Sequence, residues 1–336
     1  MMFSIIIPMY NLEDYIQDTL ESILKNDLSK CELLLLDDGS KDKTVEVAEA
    51  LLKEKCPCYY AIIKKENTGV SDTRNQGIKA AKGKYIIFCD GDDYFEPDLL
   101  DVLREKLDDT INMVAWPYYI LQEGKKTISQ QGSLSAAYDS SQMMKLHLLE
   151  GYRMRLGSFA IKRECLIGAE LFFTKECTFA EDMEFIMKCI LHAGKVQWLD
   201  IPLFCYQKRP GSLVNSFDLR RFEAPRAIER VSTYILEKQI LLKDEIGEYI
   251  QNGLFVLHYI YSLEGSLLSL RTLADGRTLW KAIQNDYCDV EINCRRKIRS
   301  MKTPPYGVSK NRIRLLKAGT AFYLQIRILK NVIRGK

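Results

Sequence analysis

One sign of charge is missing from the last stretch of this 336-residue chain: positions 292–336 hold no Asp or Glu, against 13 Lys and Arg. The whole-chain net charge of +3 hides this, because residues 1–291 carry 35 of the 48 basic residues and all 45 acidic ones, a net of −10. An acidic body with a basic end is expected to meet an anionic partner through that end. Also absent is any apolar run approaching the roughly 20 residues that cross a bilayer, which excludes a spanning helix. The N-terminal run Ile5-Ile6-Ile7 stops at Pro8 with neither a basic leader nor a small-residue cleavage site, so no secretory signal is expected. Histidine is scarce: His147, His192 and His258 stand far apart, and no Ser/His/Asp grouping or phosphate-binding P-loop is present. Internal repeats and low-complexity linkers are lacking. Cysteine is not scarce, but the ten are scattered through apolar segments, and the closest pair, Cys56-Pro57-Cys58, lacks metal-ligand spacing. They read as reduced thiols of a cytosolic protein. With 47% hydrophobic and 28% charged residues, the composition is that of an ordinary soluble globular chain.

What is present falls into an ordered alternation. Residues 3–8 are a β-branched run ending in the loop Met9-Tyr10-Asn11, and apolar residues near helical spacing then predict a helix over about 12–25. A second buried strand over 32–36 runs into Asp37-Asp38-Gly39-Ser40, and a helix over 43–55 follows, capped by Asp42 or Thr44. A third strand, 59–64, leads through Glu66-Asn67-Thr68-Gly69 to a helix over 71–81, with Gly83 placed to end it. Then comes the apolar run Tyr85-Ile86-Ile87-Phe88-Cys89. This β-α-β-α-β-α-β order with short connections predicts a parallel sheet with helices on its faces. Further helices are predicted over 97–106, 140–150 and 179–193, a strand within 111–121, and a strand pair broken by Pro202 over 196–206. After about residue 216 strand signals stop, and helical segments over 221–239, 243–270 and 278–285 take over, so a boundary is placed there.

The fourth strand runs directly into Asp90-Gly91-Asp92-Asp93. Carboxylates crowded at a strand's carboxyl edge repel one another unless a cation or a donor-rich ligand sits between them. In an open α/β sheet, this edge is where ligands bind. Hard oxygen donors suit Mg2+ or Mn2+, so Asp90 and Asp92 are candidate metal ligands. The same residues would also make a plain solvated acidic turn. A calcium loop of the EF-hand kind fits poorly, since Phe95 stands where its turn glycine is required.

Five ordered motifs carry a family resemblance: Ser4-Ile5-Ile6-Ile7-Pro8 with Tyr10-Asn11, then Asp37-Asp38-Gly39-Ser40, then Asn67-x-Gly69-x-Ser71-x-x-Arg74-Asn75-x-Gly77, then Asp90-Gly91-Asp92-Asp93, and Glu181-Asp182. Together they resemble the family 2 glycosyltransferases over about residues 3–215. The resemblance implies an inverting enzyme with the GT-A fold, a Rossmann-like α/β sandwich. Its catalytic domain would occupy 1–215, with 216–336 as a helical C-terminal region. It implies a UDP-sugar donor, with Pro8, Tyr10, Asp37 and Asp38 at the base and Asn67, Gly69 and Arg74 near the diphosphate. Asp92 would be the direct metal ligand, and Asp90 would reach the ribose, or the metal through water. Asp182 would be the general base that takes the acceptor's proton, with Glu181 orienting the acceptor or a loop. The segment Tyr206-Gln207-Lys208-Arg209-Pro210-Gly211-Ser212 is similar to the family's tyrosine-arginine element. Gln207 stands where an arginine is common, so Arg209 becomes the expected phosphate partner. Each motif also has a plainer reading. Asp-Asp-Gly-Ser is a good turn and helix start, Arg74 would serve as an ion-pair partner for Asp90 or Asp93, Asn75 would brace its loop, and acids suit the helix start at 181–182.

Within 315–334, Leu315, Phe322, Ile326, Leu329 and Ile333 fall on one helical face, with Arg327, Lys330 and Arg334 beside them. Such a basic amphipathic helix suits an anionic membrane surface; the alternative is that its stripe packs on protein. Few aromatics and no reading module argue against nucleic acid. These expectations describe a cytoplasmic enzyme, peripheral at the inner face of the cell membrane. It would transfer a sugar to a saccharide or lipid-linked saccharide in cell-surface polysaccharide biosynthesis. The alternative is a non-catalytic GT-A-fold subunit that binds nucleotide or saccharide in an assembly complex.

Overall fold

Every residue of β1 (Phe3–Met9) and β2 (Cys31–Asp37) is buried in the structure, a computed structural model. Strands covered on both faces need apolar side chains on both, which is why these two read as nearly unbroken apolar runs. They pair in parallel with each other and with β3 (Tyr59–Lys64) and β4 (Tyr85–Phe88), in the order β3-β2-β1-β4. Residues 1–130, 135–175, 177–209, 218–242, 244–267 and 272–333 are described. They divide into two units, Met1–Glu176 with Phe185–Arg209, and Cys177–Glu184 with Pro210–Lys336.

All described strands lie in the first unit. After β4 come β5 (Tyr94–Phe95), β6 (Met113–Ala115), β7 (Tyr118–Gln122), β8 (Lys125–Ile128), β9 (Ala136–Asp139), β10 (Phe159–Lys162), β11 (Lys195–Trp198) and β12 (Phe204–Gln207). The large sheet continues from β4 as β10-β6-β11-β9, and a small sheet has the order β5-β12-β7-β8. The stretch 111–121 is thus two strands in different sheets, not one. Pro117 stands between them, without an amide hydrogen to continue a ladder. The strand pair around Pro202 divides in the same way, and the two crossings run alongside each other, β11 parallel to β6 and β12 parallel to β7.

Ile5, Ile7, Leu33, Leu35 and Ile87 share one core cluster with Ile16, Leu20 and Ile23 of α1 (Ile16–Leu24) and with Leu51 and Leu52 of α2 (Thr44–Lys55). Each such side chain contributes roughly 1.5–3 kcal/mol by burial. α3 (Val70–Ala80) ends without the expected glycine cap: Ala81 is extended there, and Gly83 has a different task. A Cβ at Gly83 would stand 2.5 Å from the Ser4 backbone nitrogen, so the chain can turn into β4 only if that side chain is absent. The Gly83 N–H then donates to Ser4 Oγ (2.8 Å), whose hydroxyl donates to the buried Glu32 (2.6 Å). The unit's other helices are α4 (Leu99–Lys106), α5 (Ser140–Leu149), which starts in a capping box of Asp139 and Gln142, α6 (Arg163–Gly168), and most of α7 (Glu181–Ala193).

The second unit is helical: α8 (Glu223–Glu237), α9 (Asp244–Glu248), a π-helical turn at Tyr249–Leu254, α10 (Phe255–Leu267), α11 (Leu273–Asp286), α12 (Cys288–Ser300), α13 (Lys310–Ala318) and α14 (Thr320–Ile333). The amphipathic helix expected over 315–334 is not continuous. Gly319, at φ +124°, breaks it between α13 and α14, a backbone conformation that side chains other than glycine's disfavour. Its basic face is also partly spent inside the unit: Arg327 pairs with Glu264 (3.3 Å), to which the Tyr323 hydroxyl donates (2.8 Å). Tyr323, Leu324 and Ile328 are buried, whereas Phe322 and Leu329 are 44% and 43% exposed. The Ile333 side chain, Arg334, Pro210-Gly211-Ser212 and the boundary expected near 216 lie outside the described residues. Among the described residues no helix is long and apolar enough to cross a membrane.

Candidate functional site

The loops that leave β1 and β2 are stitched together. Asn11, in the left-handed region at φ 50°, accepts the Lys41 N–H (2.8 Å) through its side chain and donates its own N–H to Ser40 Oγ (3.0 Å). The Leu12 N–H donates to Thr44 Oγ1 (2.6 Å), and Asp42 accepts the Thr44 N–H at 3.0 Å. Asp37 and Asp38 sit inside this framework, both buried. Asp37 Oδ1 accepts the Ser40 N–H (3.2 Å). Asp38 takes the Thr68 N–H (2.9 Å) on one oxygen and the Gly69 N–H (3.0 Å) on the other, and the Lys65 ammonium bonds to it as well. The structure therefore places Asp38 as the clasp of the 65–69 loop.

The acids after β4 have different partners. A Cβ at Gly91 would lie 2.7 Å from Leu12 and 3.2 Å from the Pro8 carbonyl oxygen, so glycine lets the acidic loop close down on the end of β1. Asp90 Oδ1 receives Arg74 Nη2 at 2.8 Å, and Asp92 Oδ2 receives Arg209 Nε at 2.5 Å. Both arginines are positioned by aromatic rings: Arg74 lies over Phe173 (5.3 Å) and Arg209 over Tyr15 (4.8 Å). Asp93 turns into the protein, where it is buried and accepts the Gln207 N–H (2.9 Å). The Gln207 side chain bonds to the Tyr94 hydroxyl. So Gln207 braces the loop, and Arg209 is the residue that reaches an acid. Burial, then the Asp90 charge, push the Asp92 carboxyl up to about 6, against the pull of Arg209 and Arg74. Burial and the charges of Asp92 and Asp90 hold Asp93 well above the ordinary carboxylate range.

Pro8 lies within β1 opposite Leu36, and Tyr10 is 48% exposed just beyond that strand. Gly69, at φ +91°, starts α3, and Asn67 is exposed in the loop before it. Asn75 braces the chain at 173: its side chain donates to the Phe173 carbonyl (2.9 Å) and accepts the Phe173 N–H (2.8 Å). Asp182 belongs to the second unit, in the first turn of α7, and its carboxylate accepts the Met183 N–H at 2.7 Å. Sequence reasoning missed Lys65, Tyr15, Phe173 and Tyr94, because their partners are distant along the chain and no local pattern announces them.

Asp90 and Asp92 are the oxygen donors available to a cation here. Among the described residues no group of three or more His, Cys, Asp or Glu forms a metal cage. That donor set fits Mg2+ or Mn2+ bound through one or two carboxylates, the remaining ligands being phosphate oxygens and water. Carboxylates and guanidinium groups in one loop cluster can hold a diphosphate and its counter-ion together.

Residues 4–166 match the family described as glycosyl transferase family 2. Among curated relatives, the uncharacterized glycosyltransferase EpsJ of Bacillus subtilis is 32% identical over 216 residues, 62% of this chain and 62% of that protein. The minor teichoic acid biosynthesis protein GgaA of B. subtilis is 28% identical over 298 residues, 84% of this chain and again 62% of its own. The chain thus spans less than two thirds of either relative. The crystal structure of residues 1–349 of Staphylococcus aureus TarS in complex with UDP-GlcNAc has the same fold, with a TM-score of 0.72 at 20% identity over 99% of this chain and 89% of that one.

Proposed function

We propose that the chain is a metal-dependent inverting glycosyltransferase, moving a sugar from a UDP-sugar to a hydroxyl of a saccharide or lipid-linked saccharide during cell-surface glycopolymer assembly. The observation that carries this reading is the arginine-faced acid pair, Asp90 with Arg74 and Asp92 with Arg209, at the end of β4 inside the family-matched region. The GgaA name and the UDP-GlcNAc complex of TarS support the pathway class and the donor class. Mg2+ or Mn2+ held by Asp92, with Asp90, would neutralise charge on the departing diphosphate. Arg74 and Arg209 supply fixed positive charge to the same phosphates. The acceptor oxygen bonds to the anomeric carbon as the bond to the β-phosphate oxygen breaks, Asp182 takes the hydroxyl proton, and attack from the far side inverts the carbon. Asp37, Asp38, Pro8 and Tyr10 form the base end, and Asn67 and Gly69 the loop beside it.

The test is UDP release from a panel of UDP-sugars with Mn2+, wild type beside Asp92→Asn and Asp182→Asn. Turnover of one donor, lost in both variants, is the expected result. Tight UDP binding without turnover on any donor would instead identify a binding subunit. The exposed Phe322 and Leu329 beside Lys330 support peripheral attachment to an anionic membrane. The double variant Phe322→Glu, Leu329→Glu is expected to lose co-sedimentation with phosphatidylglycerol vesicles; unchanged co-sedimentation would remove that assignment.

A further inference from the structure

A cavity of about 570 Å3 lies wholly within the helical unit. That is the size of small-molecule sites in general, and the reading of the acid pair makes no use of it. Its floor is the π-helical turn Tyr249–Leu254, a geometry that interrupts a helix and recurs at functional sites. A Cβ on Gly253 would stand 2.7 Å from the Tyr249 ring, so the missing side chain is what lets that ring lie along the turn. It is lined as well by the link between α12 and α13. There the Val308 N–H donates to the Pro305 carbonyl (3.0 Å) with Gly307 at φ +77°, a β-turn whose third position requires glycine. Tyr306 sits at the tip of this turn and is 67% exposed. A hydrogen-bonded turn after a proline thus fixes the backbone that carries an aromatic ring no core demands.

The charges around the cavity cancel: Glu245 and Glu248 line it together with Lys297 and Lys302. A phosphate or an anionic lipid would require a positive excess, and an acyl chain or apolar peptide would require a lining without these charges. A balanced polar lining with two tyrosines and the Asn252 amide matches a neutral ligand that has both apolar C–H faces and many hydroxyls. Aromatic faces cover the first, while carboxylate and amide groups accept from and donate to the second. We propose that this cavity binds a short stretch of a neutral glycan chain, with Tyr306 as its aromatic platform and Asn252, Glu245 and Glu248 as its hydroxyl partners.

Saturation-transfer NMR on the full chain, without nucleotide or metal, tests this with neutral tetrasaccharides of glucose, galactose and N-acetylglucosamine as probes. At least one is expected to receive saturation on its ring C–H protons. Tyr306→Ala and Asn252→Ala should each weaken that probe's binding about tenfold or more, while Tyr306→Trp retains it; circular dichroism verifies that the variants are folded. No saturation on any probe, or equal binding in both alanine variants, would overturn the site. Calorimetric UDP titration keeps the two proposals separate. A chain that binds UDP but no glycan loses only this site, and one that binds glycan through Tyr306 but not UDP loses only the donor reading.

Discussion

Two acidic clusters flank β1, and they are built alike in sequence: a buried strand, then Asp37-Asp38-Gly39 on one side and Asp90-Gly91-Asp92 on the other. Their partners separate them. Asp38 is held by backbone amides at 2.9 and 3.0 Å, donors whose positions the fold dictates. Asp90 and Asp92 are met instead by guanidinium groups, carried on side chains and not on the backbone. An acid bonded to backbone amides is a part of its loop. An acid facing an arginine has a partner that can be exchanged for a phosphate or a metal. The same residue type at the same place in the fold is therefore tied to the backbone of its loop in one case and faces side-chain cations in the other.

The largest expected effect is on turnover. Asp92→Asn should lower UDP release with Mn2+ by about 10³-fold, the scale on which charge stabilisation of a leaving group operates. Retained turnover would erase the distinction from one side. Next is Asp38→Ala, which strands two loop amides and takes one carboxylate from the Lys65 ammonium, and is expected to cost about 3 kcal/mol in urea unfolding. An unchanged midpoint would erase it from the other side. A third test uses pH with EDTA present. The Asp92 carboxyl stands at about 6 in the folded chain against 3.8 as its ordinary value, so the folded state binds this proton more tightly than the unfolded one. Ionising it costs the fold on the order of 2–3 kcal/mol: nothing below about pH 4, a growing cost between about pH 4 and 6, and a constant one above. Asp92→Asn should remove that slope, so its stability gains on wild type as pH rises through this window; parallel pH profiles would contradict it. Smallest is Arg209→Lys, expected to raise the KM for donor about fivefold, because a point charge replaces a planar fork.

The first half of the large sheet was legible because β1 and β2 are long and buried on both faces, β4 is a fully buried apolar run, and helices separate the strands. The small sheet was not. β5 and β8 have no apolar run to declare them, and a single apolar stretch through Trp116-Pro117 divides between two sheets. In the helical unit the segment type was readable, but the break at Gly319 was not, since an apolar stripe runs across it. The acid clusters were visible as motifs. Which of them is braced and which is left with exchangeable partners depended on Lys65, Tyr15 and Phe173, residues joined to the clusters only by folding.

Asp93 has a kinetic consequence. By holding the Gln207 amide at 2.9 Å it anchors the chain two residues before Arg209. At about 3.3–3.6 Å per residue, the Arg209 Cα stays within ~7 Å of that anchor whatever the chain beyond it does. On so short a leash, Arg209 can trade Asp92 for another anion by turning side-chain bonds alone. Such a swap runs on the picosecond-to-nanosecond clock of rotamers, not the slower one of loops.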